Sequence, residues 1–178
     1  MNILQSLFQS IQQPTTPPHI GEAFNCWTYY AALKESRVAC LTMLNHTNDT
    51  DLKETIEHFI DELLDPQIKQ MTDFLRNEGI DIPPSSGDKP KANEREVPPG
   101  AKMTDAEIAN MLIVKVNGLL LLCFMGLFSV LRDDIAGMFY NFQGHVMLQS
   151  YTLKKLMQKR GWMLTPPLYY ASKDSSRS

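Results

Sequence analysis

The most apolar part of the chain is residues 111–131, MLIVKVNGLLLLCFMGLFSVL, where Lys115 is the only charged residue. Apolar residues lie on every side of a helix formed by this stretch. A helix without a polar face has to be enclosed. We therefore expect the other helices to surround it, and a charge introduced at Leu121 to unfold the protein by placing an unpaired charge in the core.

Apolar residues at spacings of three and four predict three further helices around this stretch. The core positions predicted for the first helix, over residues 19–47, are Ile20, Phe24, Trp27, Ala31, Val38, Leu41 and Leu44. Those of the second, ending at Glu78, are Leu52, Ile56, Phe59, Leu63, Leu64, Ile68, Met71 and Phe74. Those of the fourth are Ile135, Met138, Phe139, Phe142, Val146, Gln149, Leu153, Leu156 and Met157.

Several residues predict where these helices begin and end. Thr104 and Glu107 form a capping box that opens the third helix, and Gly79 stands where the second helix needs a C-terminal cap. Pro66 lies inside the second helix and predicts a kink or a break there. Residues 132–134, Arg-Asp-Asp, predict a turn between the third and fourth helices, with either aspartate able to cap the fourth.

These elements divide the chain into three parts. Residues 1–18 form a short amphipathic helix and a Pro-rich linker, and that helix packs either on its own bundle or on a neighbouring subunit. Residues 19–167 form a four-helix bundle with a long crossover at about 80–103, and residues 168–178 form a flexible tail. Short, long and short connections predict an all-α, ferritin-like bundle with up-down-down-up topology.

The apolar stretch is also long enough to cross a membrane, which takes roughly 20 residues. Lys115 and Asn117 lie near its start, and no Lys/Arg cluster is placed to set an orientation. The apolar faces of the other helices need a partner to cover them. These features favour a buried core helix, and we predict no transmembrane span.

Charge and cysteine content narrow the functional classes. The net charge is −3 and the basic residues cluster only at residues 154–160, which argues against a nucleic-acid partner. Residues 49–65 are strongly acidic. They form either a solvated helix face or a docking surface for a basic partner. The cysteines Cys26, Cys40 and Cys123 are odd in number, and we interpret them as buried free thiols of a protein in a reducing compartment. The alternative is a disulfide between Cys123 and either Cys26 or Cys40. The N-terminus lacks a secretory signal, so we expect a cytoplasmic or spore-associated protein.

The ferritin-like connectivity raises the question of a di-iron centre. Such a centre takes a glutamate from each of two helices and Glu-x-x-His from each of the other two. No histidine here has a carboxylate three residues before it, and the fourth helix has no acidic residue after Asp134. We therefore expect no intact di-iron site, no catalytic residue and no cofactor.

A weaker metal or acid/base site can still be composed from scattered residues. His145 lies beside the apolar seam of the fourth helix, and Glu22 or Glu35 of the first helix could face it. A hydrogen-bonded core role for His145 is the alternative, and Glu22 suits a structural role in the first turn of its helix. Asn117 and Gln149 are amides at buried positions that need partners or line a small cavity near His145.

Particular stretches of the chain also resemble a known family. They are Asn-Glu-Gly-Ile-Asp-Ile-Pro at the end of the second helix, the Arg132-Asp133 step, and Lys-Arg-Gly-Trp at residues 159–162 before two prolines. Over residues 19–167 the chain resembles uncharacterised proteins of Bacillus-type spore formers that are grouped with the spore coat protein F proteins in the ferritin-like superfamily. The resemblance implies an oligomeric four-helix bundle tied to the spore or its coat, and it brings no catalytic residues.

Two hypotheses follow from the sequence. In the first, the chain is a structural or interaction protein without enzymatic activity, which forms homo-oligomers and joins other spore coat proteins. In the second, it is a degenerate ferritin-like metal-binding protein or a small-ligand-binding enzyme, with a cavity near His145, Asn117 and Gln149.

Overall fold

The computed structural model describes residues 16–169, so the predicted N-terminal helix and most of the predicted tail lie outside the described residues. Helix α1 is Ile20–Leu44, α3 is Asp105–Ser129 and α4 is Asp133–Arg160. Helix α2 has three consecutive segments, Thr50–Phe59, a π-helical turn Ile60–Leu64, and Asp65–Asn77. A short 3-10 helix, Glu94–Glu96, interrupts the long crossover. No strand occurs within residues 16–169.

Contacts between helix ends establish the topology. The Nε2 atom of His19, before α1, lies 2.9 Å from the carbonyl oxygen of Ser129 at the end of α3. The guanidinium of Arg160, at the end of α4, donates to Asp49 before α2 at 2.8 Å. Helix α1 is therefore antiparallel to α3, and α2 to α4, which confirms the ferritin-like up-down-down-up fold.

Aromatic rings fill the centre of the bundle. Tyr29 of α1 packs edge-on against Phe139 and stacks on Phe142, with ring centroids 5.5 Å apart in both pairs. All nine core positions predicted for α4 are buried. The absence of a side chain at Gly126 of α3 leaves the space that the Phe139 ring occupies.

The predicted core face of α1 is wrong at its N-terminal end. Ile20 is 89% exposed and Phe24 is 60% exposed. The side that faces the bundle instead carries Glu22, Cys26, Tyr29, Tyr30, Leu33, Ser36, Cys40 and Met43. Helix α1 has apolar residues on two sides, so periodicity alone could not choose between them.

The helices differ from the prediction at two places: α2 does not break at Pro66, and no aspartate caps α4. Helix α2 continues through Pro66, because the π-helical turn before it shifts the backbone bonds so that the Asp65 N–H donates to the carbonyl of Ile60. At the start of α4 the N-cap residue is Arg132, without a side-chain cap. Asp134 binds the Arg132 side chain instead of capping the helix.

A buried carboxylate joins α1 to the turn between α3 and α4. Oε1 of Glu22 accepts the backbone N–H groups of Leu131 and Arg132 at 2.7 and 2.8 Å. Its Oε2 accepts the backbone N–H of His19 at 2.9 Å and completes a capping box. Glu22 is only 2% exposed. It therefore satisfies backbone donors that a sharp helix–helix turn would otherwise leave buried and unpaired.

Arg132 extends this junction to the other helices. Its Nη2 atom donates to Glu78, directly after α2, at 2.6 Å and to Asp134 of α4 at 2.7 Å. The hydrogen bonds and the positive charge of the Arg132 guanidinium hold the pKa of Asp134 below its ordinary value, although burial by itself raises that pKa. Together Glu22 and Arg132 tie all four helices at one end of the bundle.

The structure contradicts the predicted enclosure of the apolar third helix. Only 28% of the residues in the most apolar window of α3 are buried. Leu121, predicted to lie in the core, is 65% exposed. Helices α1 and α4 cover one side of α3, and within residues 16–169 the opposite side stays apolar and open. A charge at Leu121 is therefore no longer expected to unfold the protein.

Replacing Gly126 by Ala is expected to lower the free energy of unfolding by about 1–3 kcal/mol, the usual cost of overpacking a core. A Cβ atom there would lie 2.7 Å from the ring of Phe139, which is fully buried. The matched control is Gly144→Ala on α4, where an added Cβ meets nothing within 4 Å. Urea denaturation of both variants measures the difference, and equal losses would contradict the packing described.

Replacing Glu22 by Gln is expected to lower the free energy of unfolding at pH 7 by about 1.5–3 kcal/mol, the range for hydrogen bonds to a charged group. Burial by itself raises the pKa of Glu22, but the N–H groups of Arg132, Leu131 and His19 outweigh it and leave the pKa below 4.5. A lowered carboxyl pKa adds stability above the unfolded-state pKa, which is lost as pH falls through the folded-state pKa.

Thermal melts between pH 7 and pH 3 test this sign. The wild type should lose stability steeply below about pH 4.3, the pKa of an unfolded glutamate, and Glu22→Gln should show a flatter profile. The control is Glu107→Gln, because Glu107 occupies the equivalent position in the exposed capping box with Thr104. Equal effects of the two variants would show that Glu22 acts only as a helix cap.

Candidate functional site

The structure places the three weak metal candidates apart. Glu22 accepts three backbone N–H groups at the α3–α4 turn. Glu35 is exposed and lies 3.4 Å from the hydroxyl of Ser86 in the crossover. His145 is thirteen residues further along α4 than Arg132, which is about 20 Å at 1.5 Å per residue. These residues therefore do not converge on one site.

His145 instead lines a groove of about 700 Å³ between α2 and α4. The other lining residues are Asp51, Glu54, Thr55, His58, Glu62, Leu63, Leu148, Gln149 and Thr152. Within the part of the chain that the structure describes, no three His, Cys, Asp or Glu side chains are grouped to hold a metal ion. Lys159 and Arg160 also bind Asp51, at 3.0 and 2.8 Å. Three carboxylates and two histidines therefore line the groove beside apolar side chains, and among the described residues they form no convergent set of ligands.

The two amides predicted to line a cavity serve different helix contacts. Gln149 is buried, and its side chain donates to the carbonyl of Thr55 on α2 at 3.4 Å. Asn117 accepts a hydrogen bond from the Ser150 hydroxyl across the α3–α4 interface at 3.2 Å. They hold α4 against two neighbours. Gln149 also lines the groove that contains His145, whereas Asn117 is exposed and is not part of that lining.

The most extensive unusual surface is the outer side of α3, which we call the α3 stripe. It consists of Met111, Val114, Gly118, Leu121, Met125 and Phe128. Val114 is 69% exposed and Phe128 is 85% exposed. Lys115 is the only charged residue between Glu107 and Arg132. An apolar face of this length on a bundle surface is typical of an interaction site.

Helix α4 adds a second row of exposed apolar side chains, the α4 flank, formed by Tyr140, Met147 and Tyr151. Each is about half exposed. All three lie roughly 160–180° around α4 from Gln149, at 100° per residue. Because Gln149 faces α2, the α4 flank points away from α2 and lies on the side of the bundle that α3 occupies.

Sequence reasoning found this helix but missed its exposed side. Nearly every residue of α3 is apolar, so no polar face marked the direction of solvent. By length and composition α3 could cross a membrane, although a core helix of a soluble bundle meets the same criteria. The signal left in the sequence for the exposed side of α3 was the spacing of the stripe residues.

The three cysteines are free and buried, as predicted from their apolar surroundings. Burial raises the pKa of the Cys26 and Cys40 thiols to about 12, and that of Cys123 to about 11. The thiolate is the reactive form of cysteine. The native thiols are therefore poor nucleophiles at neutral pH, and the alternative disulfide to Cys123 does not form in this structure.

The chain is similar to proteins of one known family over nearly its whole length. The chain matches a family described as "Protein of unknown function (DUF3231)" over residues 7–174. It is 31% identical over 153 residues to YvdQ, an uncharacterized protein of Bacillus subtilis (strain 168). That alignment covers 86% of this chain and 89% of YvdQ.

Two crystal structures are similar to this bundle. One is a "putative spore coat protein" from Bacillus halodurans, with a TM-score of 0.84 and 31% identity, covering 88% of this chain and 98% of that one. The other is a two-domain protein from Anabaena variabilis with DJ-1/ThiJ/PfpI-like and ferritin-like domains. Its TM-score is 0.63 at 11% identity, covering 86% of this chain and 41% of that one, which supports the fold alone.

These matches confirm the family resemblance that the helix-end sequences indicated. They extend over the whole bundle, from α1 to the residues after α4. The chain therefore belongs to the DUF3231 family of proteins of unknown function.

Proposed function

We propose that this chain is a structural protein of the spore coat, which works by assembly through the apolar face formed by the α3 stripe and the α4 flank. The observation that carries the proposal is the length of this exposed apolar face, which runs along α3 from Met111 to Phe128. Large apolar patches on soluble proteins mark interaction surfaces. The name of the Bacillus halodurans relative supports a place in the spore coat.

The interior of the bundle supports an assembly role over an enzymatic one. The centre of the bundle carries Tyr29, Phe139 and Phe142, whose rings pack on one another. Tyr29 donates to the side-chain oxygen of Gln67 at 2.7 Å, and burial raises its pKa well above 10. Its phenol therefore stays protonated and serves as a structural hydrogen-bond donor.

The location is tested by fractionating spores of a Bacillus host that expresses the full chain during sporulation. We expect the wild type in the coat extract and Leu121→Asp in the soluble cell extract, because assembly would bury an unpaired charge. Leu148→Asp is the matched control. Leu148 is 65% exposed, as Leu121 is, but it lies away from the α3 stripe, in the groove between α2 and α4. Wild-type protein found only outside the coat would overturn the proposal.

Metal analysis tests the remaining alternative of a degenerate metal-binding protein. Protein purified without chelators and then offered iron, manganese and zinc is expected to retain only substoichiometric metal. The carboxylates and histidines of the groove are not grouped as ligands in the described residues. Plasma mass spectrometry gives the metal content per chain. Stoichiometric metal that is lost in His145→Ala would favour the metal-binding function.

A further inference from the structure

The α3 stripe has the spacing of a coiled-coil seam. Its six residues, from Met111 to Phe128, follow one another at steps of three, four, three, four and three. This is a 3.5-residue repeat, in which Met111, Gly118 and Met125 take one heptad position and the other three residues take the second. Steps of three and four follow from the geometry of any helix face. Here all six positions are apolar or small, so a second helix packed along α3 would meet an unbroken apolar row.

The sizes of the stripe residues determine which direction that helix runs if it belongs to a second copy. The first half ends in the small residues Val114 and Gly118, and the second half carries the larger Leu121, Met125 and Phe128. A parallel pair would set Gly118 against Gly118 and Phe128 against Phe128, leaving a gap at one level and crowding at another. Facing helices pack best when large residues meet small ones.

An antiparallel pair gives that complementarity for Val114 and Gly118, the two small residues of the stripe. Met111 faces Phe128 of the second copy, Val114 faces Met125, and Gly118 faces Leu121. Each pair combines the two heptad positions. All six stripe residues of each chain then face a stripe residue of the other chain. An added Cβ at Gly118 meets nothing within 4 Å in the monomer, so the space beside it is open to a Leu121 side chain.

We infer that the α3 stripe is the interface of a two-fold symmetric dimer, in which α3 of one copy packs antiparallel on α3 of the other. The inference rests on the proposed assembly function and names its first partner as a second copy of this chain. The α4 flank of each copy then lies beside the helix of the other and widens the contact.

The exposed area is sufficient for a stable dimer. Phe128 is 85% exposed, Tyr151 59% and Tyr140 46%. At roughly 150–250 Å² for an aromatic side chain, these three expose about 300–450 Å². Val114, Leu121 and the two methionines bring the face towards the roughly 800 Å² per partner of a standard interface. With Lys115 as the one charged residue along the stripe, no set of like charges opposes the contact.

Engineered cysteines distinguish the antiparallel register from other arrangements. In Val114→Cys/Met125→Cys the two new thiols of one chain are eleven residues apart, about 16 Å along the helix, too far for a disulfide within the chain. Mild oxidation is expected to give a covalent dimer of the double variant. The Val114→Cys and Met125→Cys single variants should cross-link to each other when mixed, and neither should cross-link to itself.

The native cysteines do not interfere, because all three are buried with raised pKa values. Self-cross-linking of Val114→Cys alone would show a parallel pair and overturn the inferred register. Failure of the mixed single variants to cross-link, with intact folding by circular dichroism, would overturn the antiparallel interface.

Sedimentation equilibrium of the full chain tests the dimer without engineered thiols. We expect a wild-type dimer, with a dissociation constant raised about 100-fold or more in Leu121→Asp, where two unpaired charges would be buried. Leu148→Asp should dimerise like the wild type. Melting of each variant separates lost association from lost folding, because Leu121 supports no core in the monomer.

A wild-type monomer at all concentrations would overturn the dimer. In that case, cross-linking of Phe8→Cys to Leu121→Cys within one chain would assign the stripe to the N-terminal segment, and Leu121-dependent binding to phospholipid vesicles would assign it to a membrane.

The proposed function fails separately. A dimer absent from the spore coat would leave this interface in place and reject the location, whereas a coat-bound monomer would direct the stripe to another coat protein.

Discussion

The arrangement of the helices depends on one buried carboxylate. Glu22 is removed from water and accepts three backbone N–H groups, two of them from the turn between α3 and α4. A buried charge is tolerated only when such donors replace its hydration. Because these contacts fix the rotation of α1 about its axis, Cys26 and Tyr29 face the core while Ile20 and Phe24 remain outside. Arg132 then links the same turn to α2 through Glu78.

The opposite end of the bundle is held by weaker contacts of the same kind. Arg160 and Lys159 of α4 bind Asp49 and Asp51 at the start of α2. These residues belong to the basic cluster at the end of the fourth helix and to the acidic segment, for which the sequence left a docking surface as one alternative. Their pairing within one chain uses part of both clusters, and partly exposed ion pairs of this type add little stability. Within residues 16–169, the apolar face of α3 is then a surface that no other helix covers.

A ferritin-like bundle can carry metal chemistry inside or present surfaces outside, and the residues of this chain favour the second use. Aromatic side chains occupy its centre, and the polar residues near it, such as Gln149 and Ser150, connect neighbouring helices. The outer face of α3 combines an apolar surface, a 3.5-residue spacing and a small residue at its middle. These are the features on which the proposed assembly through α3 rests.

The sequence by itself determined the number of helices, most of their ends and the connectivity. Capping at Thr104 and Glu107 and the glycines after α2 and α4 act locally, so they can be read without knowing the fold. Only the tertiary structure decided which side of α1 and α3 faces inward, how α2 passes Pro66, and that Glu22 binds a distant turn. A helix with apolar residues on several sides has no preferred rotation of its own, because contacts made by residues about 110 positions apart fix it.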